Sequence, residues 1–249
     1  AAHRDDFVLA TKFGNAWGPD PNRRGLSRKW IMRAIDDSLG RLQTDYVDIW
    51  YLHRDDPATP QEETVLALAD VIRAGKVRYI GVSNLSVWRM LKLVRLCEKL
   101  DVPRPVVCSP YYNAMNRMAE TDMIPACVDA GLGVVPYSPI ARGVLSGRYA
   151  PGEPVPADSR VGRNDARIMQ TEYRPESVEI AQQVVAHAAT RGINASQFAV
   201  NWVLANRFVS SVLAGPRTLA HWNDYLAALD YKWSIEDEAL IDRHVKPGH

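Results

Sequence analysis

The chain reads as an α/β fold in which buried parallel strands alternate with amphipathic helices and present polar residues at their C-terminal ends. Three observations predict it. Residues 45–54 (DYVDIWYLHR) and 75–84 (GKVRYIGVSN) are apolar runs of strand length that close on His53 and on Ser83-Asn84. Between them, residues 60–74 place Val65, Leu66, Leu68, Ala69 and Ile72 at helical spacing. The same alternation then recurs along the chain. Strand, helix, strand with chemistry at the strand ends fits an α/β barrel or a doubly wound sheet.

The elements follow in order. Residues 7–12 (FVLATK) form a short apolar run ending in Lys12, an unusual terminus because an unpaired ammonium is costly to desolvate. Residues 15–26 are rich in Gly, Pro and Asn and read as a loop. Ser27 is placed to cap a helix with Ile31, Ala34, Ile35, Ser38, Leu39 and Leu42 on one face. After the 45–84 unit, Ser86 opens a helix through Trp88, Leu91, Val94 and Leu100. Residues 105–109 form a strand, 118–130 a helix capped by Gly131, and 133–137 another strand ending before Ser138-Pro139. Residues 140–174 lack periodicity, and an irregular segment of that length in a compact domain is usually functional. Helices are expected over 175–191 and 196–206, a sixth strand over 209–214, and closing helices over 219–229 and 234–245. Right-handed crossovers would make all six strands parallel.

Composition narrows the function classes. The 249 residues suffice for one large α/β domain, and no composition shift marks a linker, so 1–249 is expected to be a single domain. A net charge of +1, with Lys and Arg spread along the chain, points to neither a nucleic-acid nor a membrane partner. The three cysteines (Cys97, Cys108, Cys127) show no CxxC spacing, which argues for buried reduced thiols and a cytoplasmic setting, and against a zinc site.

Five motifs in fixed order resemble the aldo-keto reductases over essentially the whole chain: LATKFG at 9–14, LHRDDP at 52–57, GVSN at 81–84, YSPIARGVLSGRY at 137–149 and LAGPRTLAHWNDYLAALD at 213–230. The resemblance implies an eight-stranded (β/α)8 TIM barrel, of which six β-α units are visible here. It also implies NADP(H) as cofactor, no metal, and reduction of a small-molecule aldehyde or ketone by hydride transfer with a tyrosine as proton donor. By the same resemblance, Lys12 and His53 are the catalytic lysine and histidine. Ser83, Asn84 and Ser109 would hold the nicotinamide carboxamide. Tyr137 would stack on the nicotinamide, and Ser138, Pro139, Ile140, Ala141, Gly143 and Arg148 would wrap the pyrophosphate. Gly215, Pro216, Arg217, His221 and Asp224 would grip the adenosine 2′-phosphate and adenine.

The match departs from the family pattern in two places. The catalytic tyrosine and the aspartate that pairs with the lysine belong to the first two β-α units, which are expected to precede Ala1. Ser109 stands where a Gln usually sits, and Tyr225 where an Asn usually follows the acidic residue. Ser109 keeps a hydroxyl for hydrogen bonding, and Tyr225 can stack.

The residue chemistry suits these roles. A tyrosine near pKa 10 is a poor acid at neutral pH unless its anion is stabilised, and a buried ammonium at Lys12 would do that. His53 at a strand end could orient a carbonyl by hydrogen bonding. Arg217 follows a strand beside Gly215 at a helix start, where an anion is favoured and a guanidinium suits phosphate. Arg54 reads as a surface partner of Asp55 or Asp56. Trp17 and Trp88 either shape a substrate pocket or cover surface. Two further readings stand beside the enzyme: a cofactor-binding redox-sensing subunit of the potassium-channel β type, and an inactive family member.

Overall fold

The computed structural model describes residues 3–249 as two compact units. The first comprises the residues up to Ser109 together with Pro125–Gly133, and the second Pro110–Ile124 with Val134–His249.

The first unit is built on β1 (Ala10–Phe13), β2 (Val47–Leu52), β3 (Val77–Ser83) and β4 (Pro105–Ser109), hydrogen-bonded in chain order and all parallel. The crossovers are α1 (Arg28–Leu42), α2 (Gln61–Arg73) and α3 (Val87–Lys99). Parallel strands covered by helices are near-continuously apolar, and Val47, Trp50, Leu52, Ile80 and Val82 are accordingly buried, with Ile31, Ile35, Val65, Met90 and Leu93 behind them. Phe13 stacks on Trp50 with ring centres 3.9 Å apart. Ser27 caps α1, its hydroxyl accepting from the Trp30 N–H. The first strand is shorter than its apolar run: a 3₁₀ turn occupies Arg4–Asp6, and Phe7 and Val8 are exposed. The outer edge of β1 pairs with no strand among the described residues, so the sheet does not close on that side.

The helix expected over 118–130 is divided into a 3₁₀ turn (Met118–Glu120) and α4 (Met123–Asp129). Pro125 explains the break. It lacks an N–H, and its ring would collide with the carbonyl of Thr121, four residues earlier, in one continuous helix.

At the boundary of the two units along the chain, β5 (Gly133–Val134) is shorter than the expected 133–137 strand because Pro136 cannot donate to a ladder. Residues 209–214, expected as a strand, make only isolated parallel bridges, Val134 with Val209 and Tyr137 with Leu213. Three steps on one segment face four on the other, so a bulge separates the two bridges. The remaining helices are α5 (Ala166–Gln170), α6 (Pro175–Thr190), α7 (Ala195–Ala205), α8 (Leu219–Ala227) and α9 (Ile235–His244). Phe198, Trp202, Val184, Ala188 and Ile241 form the core that α6, α7 and α9 share. Capping boxes at Asn194/Gln197 and Ser234/Asp237 fix the starts of α7 and α9.

All three cysteines are buried and none is in a disulfide. No helix among the described residues is long and apolar enough to cross a membrane.

Candidate functional site

The first unit gathers polar groups at the C-terminal ends of β1, β2 and β3. Register places Lys12 beside Tyr51 and Tyr51 beside Gly81 in one lateral row. The Tyr51 ring lies against the bare Cα of Gly81, where an added Cβ would stand 2.5 Å from the ring. The Lys12 ammonium sits 4.1 Å from the centre of that ring, a cation–π contact. No carboxylate lies within ion-pair distance of Lys12 among the described residues, and burial pulls its pKa down. Burial pushes the Tyr51 phenol up to about 12, the wrong direction for a proton donor at neutral pH.

His53 follows β2 and is fastened at both backbone groups. Its N–H donates to Phe13 O at 2.8 Å, and its carbonyl accepts from Asn84 Nδ2 at 2.8 Å. Asn84 Nδ2 also donates to Ser83 Oγ (2.9 Å), and Ser83 Oγ donates to Ser109 O (2.9 Å). Asn84 adopts φ +52°, a conformation asparagine tolerates better than most residues. The Ser109 hydroxyl is buried with no hydrogen-bond partner among the described residues. Lys12 and His53 line one cavity of about 470 Å³ with Asn15, Trp17, Trp30, Asp37 and Arg41. Trp17, whose role the sequence left open, thus forms part of that wall, with the Arg41 guanidinium 4.4 Å from its ring centre.

The second unit holds a cavity of about 320 Å³ with a strongly cationic lining. Ser138, Pro139, Ile140, Gly143, Arg148, Gly215, Arg217 and His221 line it, so eight of the residues singled out from sequence converge on one space. Arg142, Ser146, Tyr149, Arg160, Arg163, Ser196 and Tyr225 line it too. Five arginines and no carboxylate face the cavity. Arg142, Arg148 and Arg160 are paired with Glu172 (2.7 Å), Asp158 (2.9 Å) and Asp165 (2.8 Å), whereas Arg163 and Arg217 have no ion-pair partner among the described residues. Unpaired guanidinium groups around a small cavity favour a polyanion, phosphate above all. The residues therefore fit the phosphates of a dinucleotide.

The cavity wall is held by unusual backbone. Ser138, Ala141 and Arg142 all have φ between +47° and +61°, a region costly for residues with a Cβ. A buried network offsets that cost: Glu172 pairs with Arg142 and accepts from the Tyr111 hydroxyl at 2.5 Å. Tyr111 in turn packs against Tyr137 with ring centres 5.4 Å apart.

Tyr137, Ala141, Pro216 and Asp224 do not line the cavity. Tyr137 is half-buried, and burial raises its pKa. The Asp224 carboxylate accepts from Asn194 Nδ2 (2.6 Å) and Gln197 Nε2 (3.1 Å), which ties α8 to the start of α7. Arg54 is not the partner of its acidic neighbours: Asp55 pairs with Arg89 at 2.6 Å, and Asp56 accepts from Leu26 N and Thr59 Oγ1 at 2.7 Å each. Sequence reasoning passed over Arg142, and also Arg160 and Arg163, which lie beyond the 137–149 motif in the aperiodic remainder of the 140–174 segment. Asp165, a residue type suited to helix capping, caps α5 in that stretch.

The profile of the Aldo/keto reductase family matches residues 1–246. The L-glyceraldehyde 3-phosphate reductase of Escherichia coli O157:H7 is 34% identical over 256 residues, covering 100% of this chain and 72% of that protein. A probable voltage-gated potassium channel subunit beta from Oryza sativa subsp. japonica is 36% identical over 230 residues, covering 91% of this chain and 69% of that protein. The versiconal hemiacetal acetate reductase of Aspergillus parasiticus is 31% identical over 232 residues, covering 91% and 66%.

Proposed function

Because this chain belongs to the aldo/keto reductase family, we propose that it is an NADP(H)-dependent oxidoreductase that reduces the carbonyl of an aldehyde or ketone to an alcohol. Family membership makes it an oxidoreductase and implies a (β/α)8 barrel. The choice of cofactor and the residue roles are our reading. The observation that carries it is the cationic cavity of the second unit, where Arg163 and Arg217 have no ion-pair partner among the described residues.

Arg217 and His221 take the adenosine 2′-phosphate, and Arg148 with the 138–143 turn takes the pyrophosphate. Ser83, Asn84 and Ser109 hold the carboxamide edge, and Tyr137 supports the nicotinamide ring. The bound cofactor supplies the hydride. His53 donates a hydrogen bond to the substrate carbonyl and orients it. The Lys12 ammonium lowers the proton affinity of the phenol that protonates the carbonyl oxygen. That phenol is not Tyr51, whose pKa moves the other way.

Titration with NADPH and with NADH, followed by quenching of intrinsic fluorescence, tests the cofactor reading. Tight binding of NADPH that weakens about a hundredfold in Arg217→Ala, roughly 2.7 kcal/mol, is the expected result. Binding of neither dinucleotide would overturn it.

A second reading, a cofactor-binding subunit acting on a protein partner, is favoured by one observation. Leu219, Trp222, Leu226 and Leu229 form an exposed apolar stripe on α8 and the turn after it, and α8 buries none of its residues. NADPH binding without turnover of any carbonyl would favour this second reading.

A further inference from the structure

We infer that Asn15 is a positioning residue that fixes the tautomer of His53, holding the proton on Nε2 so that the ring presents a donor and not an acceptor. Its relevance to catalysis rests on the proposed role of His53; the tautomer itself does not. Asn15 Nδ2 lies 2.9 Å from His53 Nδ1. An amide nitrogen carries two N–H donors and no acceptor, so the ring nitrogen facing it must offer its lone pair. A neutral imidazole has one of each, which leaves the proton on Nε2.

The surroundings hold both partners in place. The His53 peptide is anchored on one side by Phe13 O and on the other by Asn84. Asn15 comes two residues after β1, and the loop it opens is closed by Gly25 N–H donating to Gly14 O at 2.9 Å. Gly14 takes φ +110°, a conformation an L side chain rarely adopts, so the turn that delivers Asn15 depends on glycine. Lys12, Asp37 and Arg41 are the other ionisable groups lining the cavity. A carbonyl oxygen accepts hydrogen bonds only, so the opposite tautomer at His53 would present it a lone pair.

The test is a long-range proton–nitrogen correlation spectrum of the whole protein labelled with ¹⁵N-histidine, recorded at about pH 8, where an unperturbed imidazole is neutral. The His53 signals are assigned by their loss in His53→Gln. The wild type should show one pure Nε2–H pattern. Asn15→Asp, which places an acceptor against Nδ1, should move the ring to the Nδ1–H form. An averaged or Nδ1–H pattern in the wild type, or an unchanged pattern in Asn15→Asp, would overturn the inference. The wild-type spectrum stands even where a variant fails to fold. The readout is independent of turnover, so loss of the proposed reductase activity and loss of this inference are separately visible.

Discussion

The Lys12 ammonium stands 4.1 Å from the centre of the Tyr51 ring, and that ring is in place because Gly81 leaves room for it. Three consecutive strands thus contribute one residue each to a single lateral row, with a cation at its end.

Lys12→Met should abolish most carbonyl reduction, lowering kcat by about 100-fold or more, and it should raise thermal stability. The sign follows from linkage. Burial lowers the folded-state pKa of Lys12 below the unfolded value. Below the folded pKa the cost of burying the charge is therefore fully present, and it is relieved as pH rises towards the unfolded pKa. At neutral pH the neutral Met escapes that cost. About 2–4 °C accompanies each kcal/mol in a chain of this size. Calorimetry of both proteins at pH 7 measures the shift, and a lower melting temperature for Lys12→Met would contradict it.

Gly81→Ala should destabilise the protein by about 2 kcal/mol, since the new methyl would collide with two Tyr51 ring carbons at 2.5 Å. The penalty should fall sharply in the Tyr51→Leu background, giving a coupling of about 1 kcal/mol or more in a double-mutant cycle. Urea denaturation of the four proteins provides the numbers. Additive costs would mean that the ring does not set the requirement for glycine.

Glu172→Gln should cost about 3 kcal/mol of stability, because it leaves the Arg142 guanidinium, itself largely buried, without its carboxylate. The 138–143 turn, three of whose residues hold positive φ without being glycine, then loses its brace. NADPH affinity should fall about tenfold, equivalent to 1.4 kcal/mol, although Glu172 does not line the cavity. Unchanged affinity would show that the turn keeps its shape without Glu172.

Asp237 predicts an acid limb in stability. Its carboxylate is fully buried; burial alone would raise its pKa, but hydrogen bonds from Tyr231, His187 and Ser234 outweigh that and hold it near about 2. A folded-state pKa below the unfolded value contributes stability above pH ~4, and that contribution is lost as pH falls towards 2. Asp237→Asn should cost about 3 kcal/mol at pH 7 and flatten the melting curve between pH 4 and 2. An unchanged acid limb in the variant would rule out Asp237 as its source.

Much of this was legible in the residues, and the failures have identifiable causes. The ends of β2 and β3 could be read because apolar runs stop on His53 and on Ser83-Asn84, and the structure joins these residues by a hydrogen bond from Asn84 to the His53 carbonyl. Ser27 could be read as a cap because its hydroxyl does what local chemistry allows. Pro125 and Pro136 were present in the sequence, but periodicity alone passed over their effect on a helix and a strand. Beyond the motif at 137–149, the 140–174 segment was legible only as irregular, since its order comes from ion pairs such as Arg142–Glu172 that bridge 30 residues rather than one helical turn. Asn15 carried no signal at all. Its relation to His53 spans 38 residues and depends on a turn made by Gly14.

The most direct test of the central claim is deuterium transfer. The protein is incubated with NADPH deuterated at the transferable C4 position and a panel of small aldehydes and ketones, and the products are read by mass spectrometry. The expected product is an alcohol carrying deuterium on its carbinol carbon, formed in the wild type and lost in His53→Ala. Tight NADPH binding with no deuterated alcohol from any carbonyl in the panel would contradict it.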